Sequence, residues 1–108
     1  MNTSYNFVKF LKEIWKDNTP EEAVKLWKWR IHNYPQAAKA FLEAIEQTLA
    51  APPDNFIEVV QDNGWIFLTH DDKEGNSTPF SLQEYLEWFQ KMEEQFKAIY
   101  EEILSSQK

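Results

Sequence analysis

Leu82, Tyr85, Phe89, Met92, Phe96, Ile99 and Ile103 follow one another at intervals of 3, 4, 3, 4, 3 and 4 residues. Such spacing puts every one of these side chains on one stripe of an α-helix about 35 Å long. A seam of that length cannot stay in water, so the rest of the chain, or a second chain, must cover it. Ser81 and Glu84 form the S/T-x-x-E capping box that starts this helix, and Phe80 is placed to staple onto Tyr85.

The remaining sequence supplies the cover. Phe7, Val8, Leu11, Ile14 and Trp15 share one side of a first helix, with Thr3 or Ser4 as its cap. Thr19, Pro20 and Glu22 open a second, whose inner face carries Val24, Trp27, Ile31 and Tyr34. A third begins near Pro35, turns Ala38, Phe41, Leu42, Ile45 and Leu49 inward, and stops at Pro52-Pro53. Residues 54–70 admit two readings. Asp54 caps a short helix through Phe56, Ile57 and Val60 that Gly64 ends in the left-handed conformation, or Asn63-Gly64 turns a hairpin between 57–60 and 65–69. The lack of alternation in Phe56-Ile57-Glu58-Val59-Val60 favours the helix, after which Trp65–Thr69 is extended and pairs with Ser77–Phe80. The expected fold is mainly α: one domain over 1–108, a bundle of four to five helices with a short β-hairpin in the 56–80 region.

Composition narrows the chemistry. With no cysteine there is no disulfide frame, thiolate metal site or cysteine nucleophile. The net charge is 11 − 18 = −7, which argues against direct nucleic-acid binding. No apolar run approaches the roughly 20 residues that span a bilayer, and nothing near Met1 reads as a secretory signal, so a cytoplasmic protein is expected. His70-Asp71-Asp72 looks superficially like a metal-binding pair, but the other histidine, His32, lies in a lysine-rich stretch. The segment from His70 to Ser81 lacks the twelfth-position glutamate of a calcium loop. There is no phosphate loop and no nucleophile elbow. The expectation is a protein without catalytic residues, metal or cofactor.

The charge is unevenly spread. Residues 1–41 hold seven bases and four acids, a balance of +3, and residues 42–108 hold four bases and fourteen acids, a balance of −10. Glu84 and Glu87 open the last helix, where its dipole favours acids. Asp62, Asp71, Asp72 and Glu74 fall in the central loops, with no helix dipole to account for them. Together with Trp65 and Trp88 these six acids make the candidate partner-binding surface: the charges steer a basic protein inward and the aromatics anchor it. Lys25, Lys28, Trp29 and His32, on the side of the second helix away from Trp27, form a secondary candidate surface.

The order of motifs resembles that of immunity proteins from bacterial contact-dependent growth inhibition systems. A first helix carries Phe10-Leu11 with Trp15, and an acidic helix start follows at Thr19-Pro20-Glu21-Glu22-Ala23-Val24. Then come Leu42-Glu43-Ala44-Ile45-Glu46, Asn63-Gly64-Trp65 and Ser81-Leu82-Gln83-Glu84-Tyr85-Leu86-Glu87-Trp88, so the likeness covers most of residues 5–90 as a series of short motifs. The resemblance implies a cytoplasmic antitoxin that binds the C-terminal domain of a toxin delivered by neighbouring cells, with monomer and homodimer both left open. Those domains are often nucleases, whose substrate sites are basic. Two alternatives share the residue pattern: an acidic nucleic-acid mimic that inhibits a DNA- or RNA-binding protein, and a helical adaptor or homodimer built on the 82–103 seam.

Overall fold

The structure, a computed structural model, describes residues 5–106. It is mainly helical, with five helices and one two-stranded antiparallel sheet. The elements are α1 (Tyr5–Phe10), which runs on as a π-helical turn over Leu11–Trp15, α2 (Pro20–Asn33), α3 (Pro35–Ala50), α4 (Phe56–Gly64), β1 (Thr69–Asp71), β2 (Ser77–Pro79) and α5 (Leu82–Ser106). The Thr3 or Ser4 cap expected for α1 lies outside the described residues.

The wider turn at the end of α1 was not legible in the spacing. The Lys16 N–H bonds the Leu11 carbonyl, five residues back, at 2.9 Å. A wider turn brings residues four and five apart closer to one face, and Leu11, Ile14 and Trp15 are all buried along with Phe7 and Phe10. The chain then reverses at Asp17, which has a φ of 64°, and the Asn18 side-chain amide donates to the Ile14 carbonyl at 3.0 Å.

Both capping boxes form. Thr19 Oγ1 accepts from the Glu22 N–H while Glu22 Oε1 accepts from the Thr19 N–H, and Ser81 and Glu84 do the same for α5. Ala23, Trp27 and Ile31 form the buried face of α2. Tyr34, expected on that face, is exposed. Pro35 excludes the helical conformation from the residue before it, so Tyr34 leaves the helix at φ −142°, ψ 66° and its ring lies beside Trp29 instead.

α3 buries Ala38, Phe41, Leu42, Ala44, Ile45 and Thr48, and its end precedes the Pro52-Pro53 pair. In the 54–64 region the helix forms and the hairpin reading of 57–60 with 65–69 does not. Its N-cap is Asn55 rather than Asp54, without a side-chain cap bond. The glycine has a different task from the one expected. Gly64 stays helical and buried, and a Cβ there would sit 3.1 Å from Leu11 Cδ2, so its value is the close approach of α4 to α1. The left-handed residue is Trp65.

The seam on α5 is used mainly inside the molecule. Tyr85, Phe89, Met92 and Phe96 are buried, Ile99 and Ile103 are half-buried, and Leu82 is exposed in the first turn. Phe10 meets Trp27, Phe41 and Phe96 with ring centres 6.2, 5.7 and 6.0 Å away, all edge-on. Trp27 stacks on Phe96 at 5.2 Å and donates its indole N–H to the Phe96 carbonyl at 2.9 Å. Phe7, Phe56 and Phe89 form a second group that joins α1, α4 and α5. Each such ring, fully buried, contributes about 1.5–3 kcal/mol, and each well-placed pair about 0.5–1.5 kcal/mol more. On the outside of this core, Arg30 on α2 pairs with Glu13 and lies over the Phe41 ring at 5.4 Å.

Candidate functional site

The strap between α4 and α5, residues 65–80, carries half of the primary candidate surface: Trp65, Asp71, Asp72 and Glu74. Its path is set at the end of α4. Trp65 adopts φ 53°, ψ 37°, a left-handed conformation that costs a non-glycine residue about 1–2 kcal/mol. Its N–H still bonds the Gln61 carbonyl at 3.1 Å. The reversal drives Ile66 into the core, while Trp65 stays 52% exposed with the Lys16 ammonium 4.9 Å from its ring centre. From there the chain alternates. Ile66 and the half-buried Leu68 face the bundle, and Phe67 is 63% exposed. The Tyr85 hydroxyl accepts from the Leu68 N–H at 3.0 Å and from the Gln61 side-chain amide at 3.2 Å, fixing the strap to α5 and α4.

The short hairpin follows, with Thr69 opposite Pro79, His70 opposite Thr78 and Asp71 opposite Ser77. All six of its residues are exposed. The loop is organised by its own acids. Asp72 Oδ1 accepts from the Glu74 and Asn76 N–H groups at 2.9 and 2.8 Å, and Gly75 supplies the φ of 86° that closes the turn. Asp71 Oδ1 accepts from the hydroxyls of Ser77, at 2.6 Å, and Thr69, at 3.1 Å. The Asn76 N–H bond leads in holding the Asp72 carboxyl below the usual aspartate range, and the Ser77 hydroxyl does so for Asp71. Two of the loop acids therefore do have a structural role: they are ionised acceptors that shape the loop. Glu74 and Asp62 are exposed, and among the described residues their carboxylates have no hydrogen bond or ion pair.

His70 links the hairpin to the last helix. Its Nε2 pairs with Glu84, and its ring lies 4.5 Å from that of Phe80. The Ser81 N–H is the main cause of the lowered Glu84 carboxyl pKa, with His70 adding to it. His70, Asp71 and Asp72 are thus taken up by Glu84, Ser77, Thr69 and the loop backbone. No group of three or more His, Asp or Glu side chains among the described residues is arranged to hold a metal ion, and no described helix is long and apolar enough to cross a membrane.

The predicted residues are therefore divided. Asp71, Asp72 and Glu74 lie in the hairpin and its loop, and the His70 pair joins the hairpin to Glu84 at the start of α5, with Glu87 held by Gln83 one turn along at 3.1 Å and Asp62 in the last turn of α4 before Trp65. Trp88 does not project as an anchor. It is half-buried, edge-on to Trp15 at 5.3 Å and close to Phe89 at 5.0 Å. Phe67 is the exposed aromatic that the sequence hid, through its position inside the apolar run 65–68. On α2, Lys25, Lys28, Trp29 and His32 are exposed, and Trp29 is joined by Tyr34 with ring centres 5.7 Å apart.

No family model, curated protein or solved structure matches the chain.

Proposed function

We propose that the chain is a non-catalytic inhibitor of the immunity type: a cytoplasmic protein that binds the basic substrate site of a cognate toxin domain, a nuclease, and covers it. The observation that carries this reading is the strap. It holds two large aromatics, Trp65 and Phe67, more than half exposed, on the same connecting segment as the hairpin acids Asp71, Asp72 and Glu74. Partly solvated aromatics of this size are characteristic anchors of protein interfaces. The carboxylates of the hairpin complement a phosphate-binding surface and speed the encounter. The backbone is arranged for display, since Trp65 occupies a strained conformation where glycine would relieve the cost. The motif order described above supports the same assignment.

The test is direct. The assignment requires a toxin domain in a neighbouring reading frame; that domain is purified alone and mixed with this chain at equimolar concentration, and nuclease activity is measured. Loss of activity with a dissociation constant at or below about 1 nM, equivalent to about 12 kcal/mol, is expected. Undiminished activity at equimolar protein contradicts the assignment.

A further inference from the structure

A second surface lies on another side of α5. The last turns of α3 and the first half of α5 form a groove of about 340 Å³, lined by Glu46, Leu49 and Ala50 from one helix and Leu86, Gln90 and Glu93 from the other. The two sets fall at i, i+3, i+4 and i, i+4, i+7, so each follows one edge of its helix. At 3.6 residues per turn, Leu86 is roughly 160° around α5 from Glu84, the residue that His70 of the strap pairs with. The groove is thus separate from the strap face and independent of the function proposed for it.

Three features give the groove one chemical preference. Its floor is aliphatic, from Leu49, Ala50 and Leu86. Its rim has a carboxylate from each helix, and among the described residues neither Glu46 nor Glu93 has a hydrogen bond or ion pair. Burial, with the repulsion of Glu46 next, raises the Glu93 carboxyl pKa; Lys97 one turn along offsets part of this and Glu94 adds to it. Finally, α3 ends in this groove with no basic residue in its last turn, so the negative end of its dipole has no cation of its own. An alkyl stem with a cationic head matches all three features. A planar guanidinium can reach two carboxylates and the Gln90 amide oxygen at once, which a point-like ammonium does less well.

We propose that the α3/α5 groove is a docking slot for an arginine side chain of a basic partner protein, with the stem on Leu49, Ala50 and Leu86 and the guanidinium between Glu46 and Glu93.

The experiment is an NMR titration of the full chain with N-acetyl-arginine amide at 0.15 M salt, set against the uncharged citrulline analogue and against butylammonium. Saturable shifts confined to 46–50 and 86–93 are expected for the arginine probe, with citrulline silent and butylammonium weaker. Glu46→Gln combined with Glu93→Gln is expected to weaken arginine binding about five-fold or more while the remaining spectrum stays folded. Shifts centred on the hairpin, equal binding of citrulline or butylammonium, or unchanged affinity in the double variant would each overturn the slot. Failure here leaves the strap reading intact, because no strap residue is altered.

Discussion

The bundle and the strap treat aromatic residues in opposite ways. In the bundle, Phe7, Phe10, Trp27, Phe56, Phe89 and Phe96 are buried to within a few per cent and touch one another, some pairs edge to face and others stacked. In the strap, Trp65 and Phe67 are more than half in water, although Ile66 between them is buried. The order of the two regions also has different sources. The bundle is held by apolar burial, whereas the strap adds to the burial of Ile66 and the packing of Leu68 and Phe80 a sparse set of polar contacts: the Tyr85 hydroxyl, the His70–Glu84 pair and the acceptors Asp71 and Asp72. The difference teaches that changes in the first region should register as stability, and changes in the second as binding.

The largest effect that would sharpen this contrast is expected from Trp27→Ala. It leaves a cavity against Phe10 and Phe96 and removes the bond to the Phe96 carbonyl, at a cost of about 3–5 kcal/mol. Chemical denaturation measures it, and a loss under about 1 kcal/mol would break the assignment of the core. Trp65→Gly should act differently. Relief of about 1–2 kcal/mol of left-handed strain is offset by a glycine entropy cost of about 0.5–1 kcal/mol and the loss of the Lys16 contact, about 0.5–1 kcal/mol, so the melting temperature changes little while toxin inhibition falls. A variant that is both less stable and fully inhibitory would place Trp65 with the bundle instead.

Replacing Asp71, Asp72 and Glu74 by Ser should slow partner association about ten-fold and flatten its dependence on salt, as read by stopped flow. An unaltered rate constant moves the electrostatic contact away from the hairpin. The smallest effect is in pH. Asp71, Asp72 and Glu84 have depressed folded-state values, so their contribution is complete above the ordinary carboxylate pKa and is lost as pH falls through the depressed ones. Glu93 has the opposite sign: its raised value means that the ionised form is disfavoured in the folded state, a penalty relieved as pH falls through that value. In an NMR pH titration the hairpin amides should therefore shift below the range where the Glu93 signals move, and a common midpoint for both would refute the separation.

How much was visible in advance follows the same division. Burial at helical spacing repeats along the chain, so the 3-4 seam, both capping boxes and the Pro52-Pro53 stop could be read directly. Local backbone exceptions could not. A left-handed turn is normally given to glycine, and Gly64 stands beside Trp65, but the approach of Leu11 claims Gly64 for the helix. The same exception decides which half of Trp65-Ile66-Phe67-Leu68 is buried, so Phe67 was concealed, while Trp88 is drawn in by Trp15, a long-range contact that local spacing does not show. The π-helical turn at Leu11–Trp15 depends on how α1 meets the rest of the core, a long-range condition absent from local pattern. The acids of the hairpin were seen, but their hydrogen bonds to Ser77, Thr69 and Asn76 require the turn to be closed first.

The central claim is that the strap is a contact surface carried by a separate scaffold. Its most direct test is inhibition of the toxin domain by the wild-type chain and by Trp65→Ala combined with Phe67→Ala, each with its melting curve. At about 2 kcal/mol or more for each interface anchor, the double variant should bind at least about 100-fold more weakly with its melting temperature almost unchanged. Equal inhibition by the two proteins would contradict the account.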